Sequence, residues 1–153
     1  MLAPTHFLGG MAAALCLGSG PAEAALVGVA ALLPDVDHPG SAAGRMAPGV
    51  SHAFGLVFGH RGFLHSLLGA ACLTWAVCRL AAVLGFAVPW QPLFAGYMVH
   101  LVLDTFTPSG VPWLWPLGVR VSVPLVRTGG ILEKAVVAPA VLLFVASKIA
   151  GAF

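Results

Sequence analysis

Charge is scarce in this chain. Seven of its 153 residues are Lys or Arg and five are Asp or Glu, so 8% are charged, where an ordinary soluble domain carries about 25%. Hydrophobic residues make up 59%, and the mean hydropathy is +0.99. A 150-residue fold still exposes roughly 30% of the surface its unfolded chain exposes. With so few polar residues to cover that surface, a soluble globular protein is excluded. Disorder is excluded as well, because it needs low hydrophobicity. The net charge of +2 is spread along the chain, which leaves no basic patch for nucleic acid. Cysteine is also sparse: Cys16, Cys72 and Cys78 lie in apolar stretches without metal-type spacing and read as small core residues. The opening segment, MLAPTHFLGG, lacks the positively charged start of a cleaved signal peptide and reads as part of the mature protein. What remains is a small integral membrane protein, a single domain over 1–153 whose partner is the lipid bilayer.

Proline and glycine divide the chain into apolar blocks. Residues 7–17 and 22–33 flank the breaker Gly18-Ser19-Gly20-Pro21. Each arm reaches about 18 Å at 1.5 Å per residue, short of the ~30 Å hydrocarbon core, which suggests a re-entrant or tilted hairpin. A polar, Gly-rich connection runs over 35–62. Residues 63–86, 90–107 and 131–152 are long enough to span, the last with a kink at Pro139. The expected fold is therefore an all-α helical bundle with about three full spans plus a short N-terminal helical hairpin. The two long connections carry Arg45, Arg61, Arg120 and Arg127, with Lys134 just beyond. Two spans separate them, so both fall on one side, and the Lys/Arg excess puts that side in the cytoplasm.

The rare ionisable groups are not scattered. All three Asp and five of the six His fall in Thr5-His6, Asp35-Val36-Asp37-His38, the stretch His60 to Ser66 with His65, and His100-x-x-x-Asp104. An ionised Asp in mid-membrane costs about 2.5–3.5 kcal/mol, so it needs a partner, a metal or a wet cavity. His100 and Asp104 are four apart and share one helix face. The expected topology brings every cluster to one membrane face. Such a mixed nitrogen and oxygen set suits Zn²⁺, and also Mn²⁺ or Fe, with enough ligands for one or two ions. Each piece has a plainer reading: Asp35 and Asp37 as a solvated turn, His60 as a loop residue, Ser66 as a helix-side hydroxyl. Arg61 could be a cytoplasmic anchor, and Glu133 a carboxylate favoured by the dipole of a helix's first turn. His52 joins no cluster. The coincidence of so many groups favours a metal site.

The segments Leu33-Pro34-Asp35-Val36-Asp37-His38-Pro39, Gly59-His60-Arg61-Gly62-Phe63-Leu64-His65-Ser66, Gly96-Tyr97-Met98-Val99-His100 through Asp104, and Thr107-Pro108-Ser109-Gly110-Val111-Pro112 to Leu114-Trp115-Pro116 strongly resemble the YdjM-like family of membrane-bound metal-dependent hydrolases. The resemblance runs in order from Thr5-His6 to Glu133. One departure is Leu64, where the family usually has Thr. The resemblance implies an inner-membrane, metal-dependent hydrolase of a prokaryote. A fainter similarity links the His-x-x-x-Asp arrangement to the helical zinc phospholipase C and P1-nuclease group, which hydrolyse phosphoesters. On that likeness His60, His65, His100 and Asp104 look like the metal core, completed by His6 and Asp35. Asp37 is then the candidate general base and Arg61 the candidate clamp for a phosphoryl oxygen. His38, Ser66 and Thr107 would support the ligands, with Glu133 a further supporting group or ligand. The roles of Asp35, Asp37 and His38 stay open among themselves.

The function this implies is hydrolysis of a phosphoester in a lipid or lipid-linked substrate by a metal-activated water. The rival is a non-enzymatic metal-binding or metal-transport protein. Transporter sites usually sit at mid-membrane with access to both faces, whereas these ligands gather at one end. An intramembrane metalloprotease would need a His-Glu-x-x-His helix, which is absent.

Overall fold

Proline starts the two N-terminal helices, and glycine turns the chain between them. In the computed structural model, which describes residues 1–38, 40, 41, 44, 45, 49, 52 and 62–151, helix α1 (Ala3–Cys16) has Pro4 in its first turn and α2 (Pro21–Ala30) begins on proline. Proline is favoured there because the first N–H groups of a helix have no partner to lose. Gly18, at φ +84°, reverses the chain between them, a conformation that a side chain would strain. The expected N-terminal hairpin is therefore present.

The hairpin is packed backbone to backbone. A Cβ added at Gly10 would stand 2.8 Å from the Val27 carbonyl oxygen, and one at Gly28 would stand 2.8 Å from that of Phe7. Helix α4 (Trp90–Thr105) approaches α2 in the same way, since a Cβ at Gly96 would lie 2.3 Å from Val27 O. Only glycine permits such contacts. Helix α2 is thus held between α1 and α4, and its C-cap residue Ala31 is carried up against α4.

Helix α3 (Leu67–Val83) packs on α4. Its N-cap is Ser66, whose hydroxyl accepts from Gly69 N at 3.0 Å. A 3₁₀ turn, Phe63–His65, precedes it, and Gly85 at φ +84° follows it. Helix α5 (Ala138–Ile149) packs against α1 and is preceded by a π-helical turn, Glu133–Val137. Pro139 cannot donate to the carbonyl of residue 135, and the widened turn lies where that bond would fall. Apolar clusters sit at two places. Met11, Ala14, Ala24, Val27 and Val145 join α1, α2 and α5; Ala70, Tyr97, Leu101 and Val111 join α3, α4 and the loop beyond α4.

That loop has no strand among the described residues, only an antiparallel bridge between Val111 and Val121. It is tied to the end of α4 by Val123 N to Thr105 O (2.8 Å), Val126 N to Phe106 O (3.0 Å) and Trp113 Nε1 to Thr105 Oγ1 (2.9 Å).

The all-helical architecture is as expected, but the three full spans are not. The longest α-helices, α3 and α4, have 17 and 16 residues, or about 26 and 24 Å. Among the described residues no helix is long and apolar enough to cross a membrane. The apolar blocks are shortened at their ends: 63–86 gives up its start to the 3₁₀ turn and Ser66 cap, 90–107 stops at Thr105, and 131–152 is interrupted by the π turn. The cysteines also differ from expectation. Cys16 and Cys72 are exposed, because they lie on outward faces of their helices rather than in the core.

Candidate metal centre

Four separate elements deliver polar side chains to one buried point. Helix α1 brings His6, the 3₁₀ turn Leu33–Asp37 brings Asp35 and Asp37, the turn before α3 brings His65, and α4 brings His100 and Asp104. His6, His65 and His100 are each 0% exposed, with Asp37 at 2% and Asp104 at 1%.

His100 is the hub. Its Nδ1 donates to the Ala31 carbonyl at 2.7 Å, so Nδ1 carries the proton and Nε2 presents its lone pair inward. That Nε2 lies 3.3 Å from His65 Nε2, 3.7 Å from Asp104 Oδ2 and 3.8 Å from Asp35 Oδ1. His65 Nε2 and Asp35 Oδ1 are 3.6 Å apart. The His6 ring stacks on His100 with centroids 3.7 Å apart, and its Nε2 reaches Asp104 Oδ1 at 3.2 Å. The ammonium of Met1 also donates to Asp104 Oδ1.

These spacings fit an ion. Four donors at 2.0–2.2 Å from a tetrahedral Zn²⁺ stand about 3.3–3.6 Å from one another, close to the separations here. Two groups meet the requirement, His6 with His100 and Asp104, and Asp35 with His65 and His100. Both draw on the single lone pair of His100 Nε2, so that atom serves one ion only. Charge points the same way. The Met1 ammonium offsets one negative charge, at Asp104. Asp35 and Asp37, buried or partly buried, face neutral-capable imidazoles, and burying negative charge without compensation is costly. Burial would raise the Asp35 carboxyl, but the hydrogen bond from His65 and the nearby His100 and His6 rings outweigh it and hold it down at about 2. Asp35 is thus ionised at neutral pH, as a ligand must be.

The remaining candidates are placed differently. Asp37 Oδ2 lies 3.7 Å from His65 Nδ1, so Asp35 and Asp37 flank opposite ring nitrogens of the same histidine. Ser66, buried, donates to Phe63 O at 2.6 Å and caps α3; it shapes the turn that carries His65. Thr107 donates to the carbonyl of Asp104 at 2.8 Å, closing the end of α4 behind that candidate ligand. Glu133 accepts from Leu2 N and Gly129 N, both at 2.6 Å. It ties the start of α1 to the loop before α5 and so keeps His6 over Asp104. His38 is exposed and lines a cleft together with Asp35, and His52 is exposed as well. His60 and Arg61 lie outside the described residues.

Two supports were not foreseen from the sequence. Tyr97, fully buried, donates its hydroxyl to Leu64 O at 2.5 Å, pinning the His65 turn to α4. A tyrosine three residues before His100, the chain's single Tyr, was the available signal. The other is the Ala31 carbonyl, which carries no side-chain signal at all.

A family profile described as YdjM inner membrane protein matches residues 1–153. Among similar proteins, Escherichia coli (strain K12) inner membrane protein YdjM is 40% identical over 108 residues, covering 67% of this chain and 55% of that one. Bacillus subtilis (strain 168) YvsG is 36% identical over 148 residues, covering 90% and 88%. Escherichia coli inner membrane protein YbcI is 35% identical over 114 residues, covering 67% and 62%. The chain thus spans about half the length of the E. coli YdjM protein. No solved structure matches, and the fainter likeness to the phospholipase C and P1-nuclease group gains no support. With a family profile matched along its whole length and relatives named as bacterial inner membrane proteins, the chain belongs to the YdjM inner membrane protein family.

Proposed function

We propose that this chain is a metal-dependent hydrolase of the bacterial inner membrane, acting on a phosphoester in a lipid or lipid-linked substrate. The observation that carries the reading is the buried convergence of His65 Nε2, His100 Nε2, Asp35 Oδ1 and Asp104 Oδ2, with the His100 tautomer set by Ala31. A divalent ion held there, Zn²⁺ foremost with Mn²⁺ or Fe as the other candidates, would supply Lewis acidity and make a water acidic enough to attack at neutral pH.

The chain's own residues do the rest. His6, Asp35, His65, His100 and Asp104 are the ligand set, and His60 is proposed to join them. Asp37 supports His65 through Nδ1, as carboxylates behind metal-binding histidines do. Its position favours this orienting role over the general-base role suggested by sequence likeness. Arg61 remains the proposed clamp for a phosphoryl oxygen. Asp35, less buried than the others at 18% side-chain exposure, is the edge of the centre nearest solvent, and the Arg excess of the two long connections supports reading that edge as cytoplasmic.

The test is turnover. Metal-loaded protein in detergent should hydrolyse at least one of three substrate classes: glycerophospholipids, phosphatidates or isoprenyl phosphates. The activity should vanish on chelation and return with the metal. Fully loaded protein that turns over none of them would favour a metal-binding protein without hydrolase activity.

A further inference from the structure

A cleft of about 390 Å³, lined by Asp35, His38, Ser41, Arg45 and Thr128, adjoins the candidate metal centre at Asp35. Asp35 belongs to both the centre and the cleft. Ser41 links the cleft's cation to that ligand: its hydroxyl donates to the Asp35 carbonyl at 2.6 Å and accepts from Gly44 N at 2.8 Å. Arg45 N in turn donates to Ser41 O at 3.1 Å. The turn that carries Arg45 is therefore fastened directly to the turn that carries Asp35. Arg45 has no carboxylate partner among the described residues.

We propose that this cleft is a subsite for a phosphate-type anion, with Arg45 as its cationic partner and Ser41 as the pin that holds Arg45 beside the metal centre. The inference rests on the reading of the centre as a metal site and deepens it, by naming where the anionic group of a substrate sits. Without a metal, the Asp35 carboxylate would offset the charge of Arg45 and weaken the cleft's hold on such an anion. A divalent ion held by Asp35 would reverse that local sign, and the ion and the guanidinium would then both attract the anion. Guanidinium suits this task because its planar fork pairs bidentately with phosphate oxygens. Hydroxyls of Ser41 and Thr128 and the imidazole of His38 line the cleft with further hydrogen-bonding groups. Anion binding should therefore depend on both the metal and Arg45.

Calorimetric titration of the full chain in detergent with inorganic phosphate tests this. Zinc-loaded wild type should bind phosphate, and chelated protein should bind it far more weakly. Arg45→Ala, at unchanged zinc content, should weaken phosphate binding about tenfold or more, equivalent to about 1.4 kcal/mol. Arg45→Lys should fall between, keeping the charge without the fork, and Ser41→Ala should weaken binding by releasing the turn. Unchanged phosphate affinity in Arg45→Ala would overturn the proposal, as would loss of zinc in both Arg45→Ala and Arg45→Lys, which would make Arg45 a residue of the fold alone. Phosphatidate micelles competing at lower concentration than inorganic phosphate would identify a lipid head group as the source; equal competition would identify a small phosphate ester. Phosphate binding through Arg45 without turnover of any phosphoester would keep the subsite and remove the hydrolase. Turnover with phosphate affinity unchanged in Arg45→Ala would do the reverse.

Discussion

Replacing His100 with alanine should empty the metal centre. The Nε2 of His100 is the atom nearest to donors from three other positions, at 3.3–3.8 Å, and its ring supports the stacked ring of His6. His100→Ala removes that ligand, leaves Ala31 O without its 2.7 Å donor and opens a buried cavity. Bound metal should fall at least about tenfold, as loss of even a supporting group commonly costs 10–100-fold. Stability should fall by about 2–4 kcal/mol, from the unsatisfied carbonyl and the cavity together. Elemental analysis and thermal unfolding read the two effects. His52→Ala, at an exposed position, should move neither. Equal metal loss in the two variants would mean that the centre has been assigned to the wrong residues.

Asp37→Asn should act on the metal before it acts on chemistry. In the proposed orienting role the carboxylate, with Oδ2 at 3.7 Å from His65 Nδ1, would raise the basicity of the ring and favour one orientation of it. Asparagine keeps the shape but loses the charge, so metal affinity should drop about 10–100-fold. Competition with a chelating dye measures it. The general-base role drawn from sequence likeness makes the opposite forecast: metal kept, with turnover lowered by about 10²–10⁴-fold. Full metal affinity in Asp37→Asn, combined with a loss of that size in turnover, would restore the base assignment.

The contrast between these two residues shows what a sequence of this composition displays. His100 and Asp104 were legible because they interrupt an apolar helix at i, i+4, a spacing that shares one face. Their convergence with His6, Asp35 and His65 followed from a hairpin that returns the chain and from helices that begin and end at one level. Asp35 and Asp37 could not be told apart in this way. Both sit in one short 3₁₀ turn, and which of them faces which nitrogen of His65 depends on how that turn docks against α4. The helix lengths were overread for a physical reason too. Hydropathy reports where a segment is apolar, not where a Ser66 cap, a 3₁₀ turn or the π turn before Pro139 interrupts the helical ladder. The close approach of α2 to α4 at Gly96 places Ala31 O against His100, and a backbone carbonyl leaves no trace in a list of side chains.

Metal content is the most direct measurement. His100 Nδ1 is committed to Ala31 O, so Nε2 offers one lone pair, and both candidate triads require it. Protein purified without chelator, or dialysed against Zn²⁺ and then washed, should therefore carry about one divalent ion per chain at neutral pH, with the ion lost in His100→Ala. A chain that takes up no metal under these conditions while remaining folded would contradict the metal centre and everything derived from it.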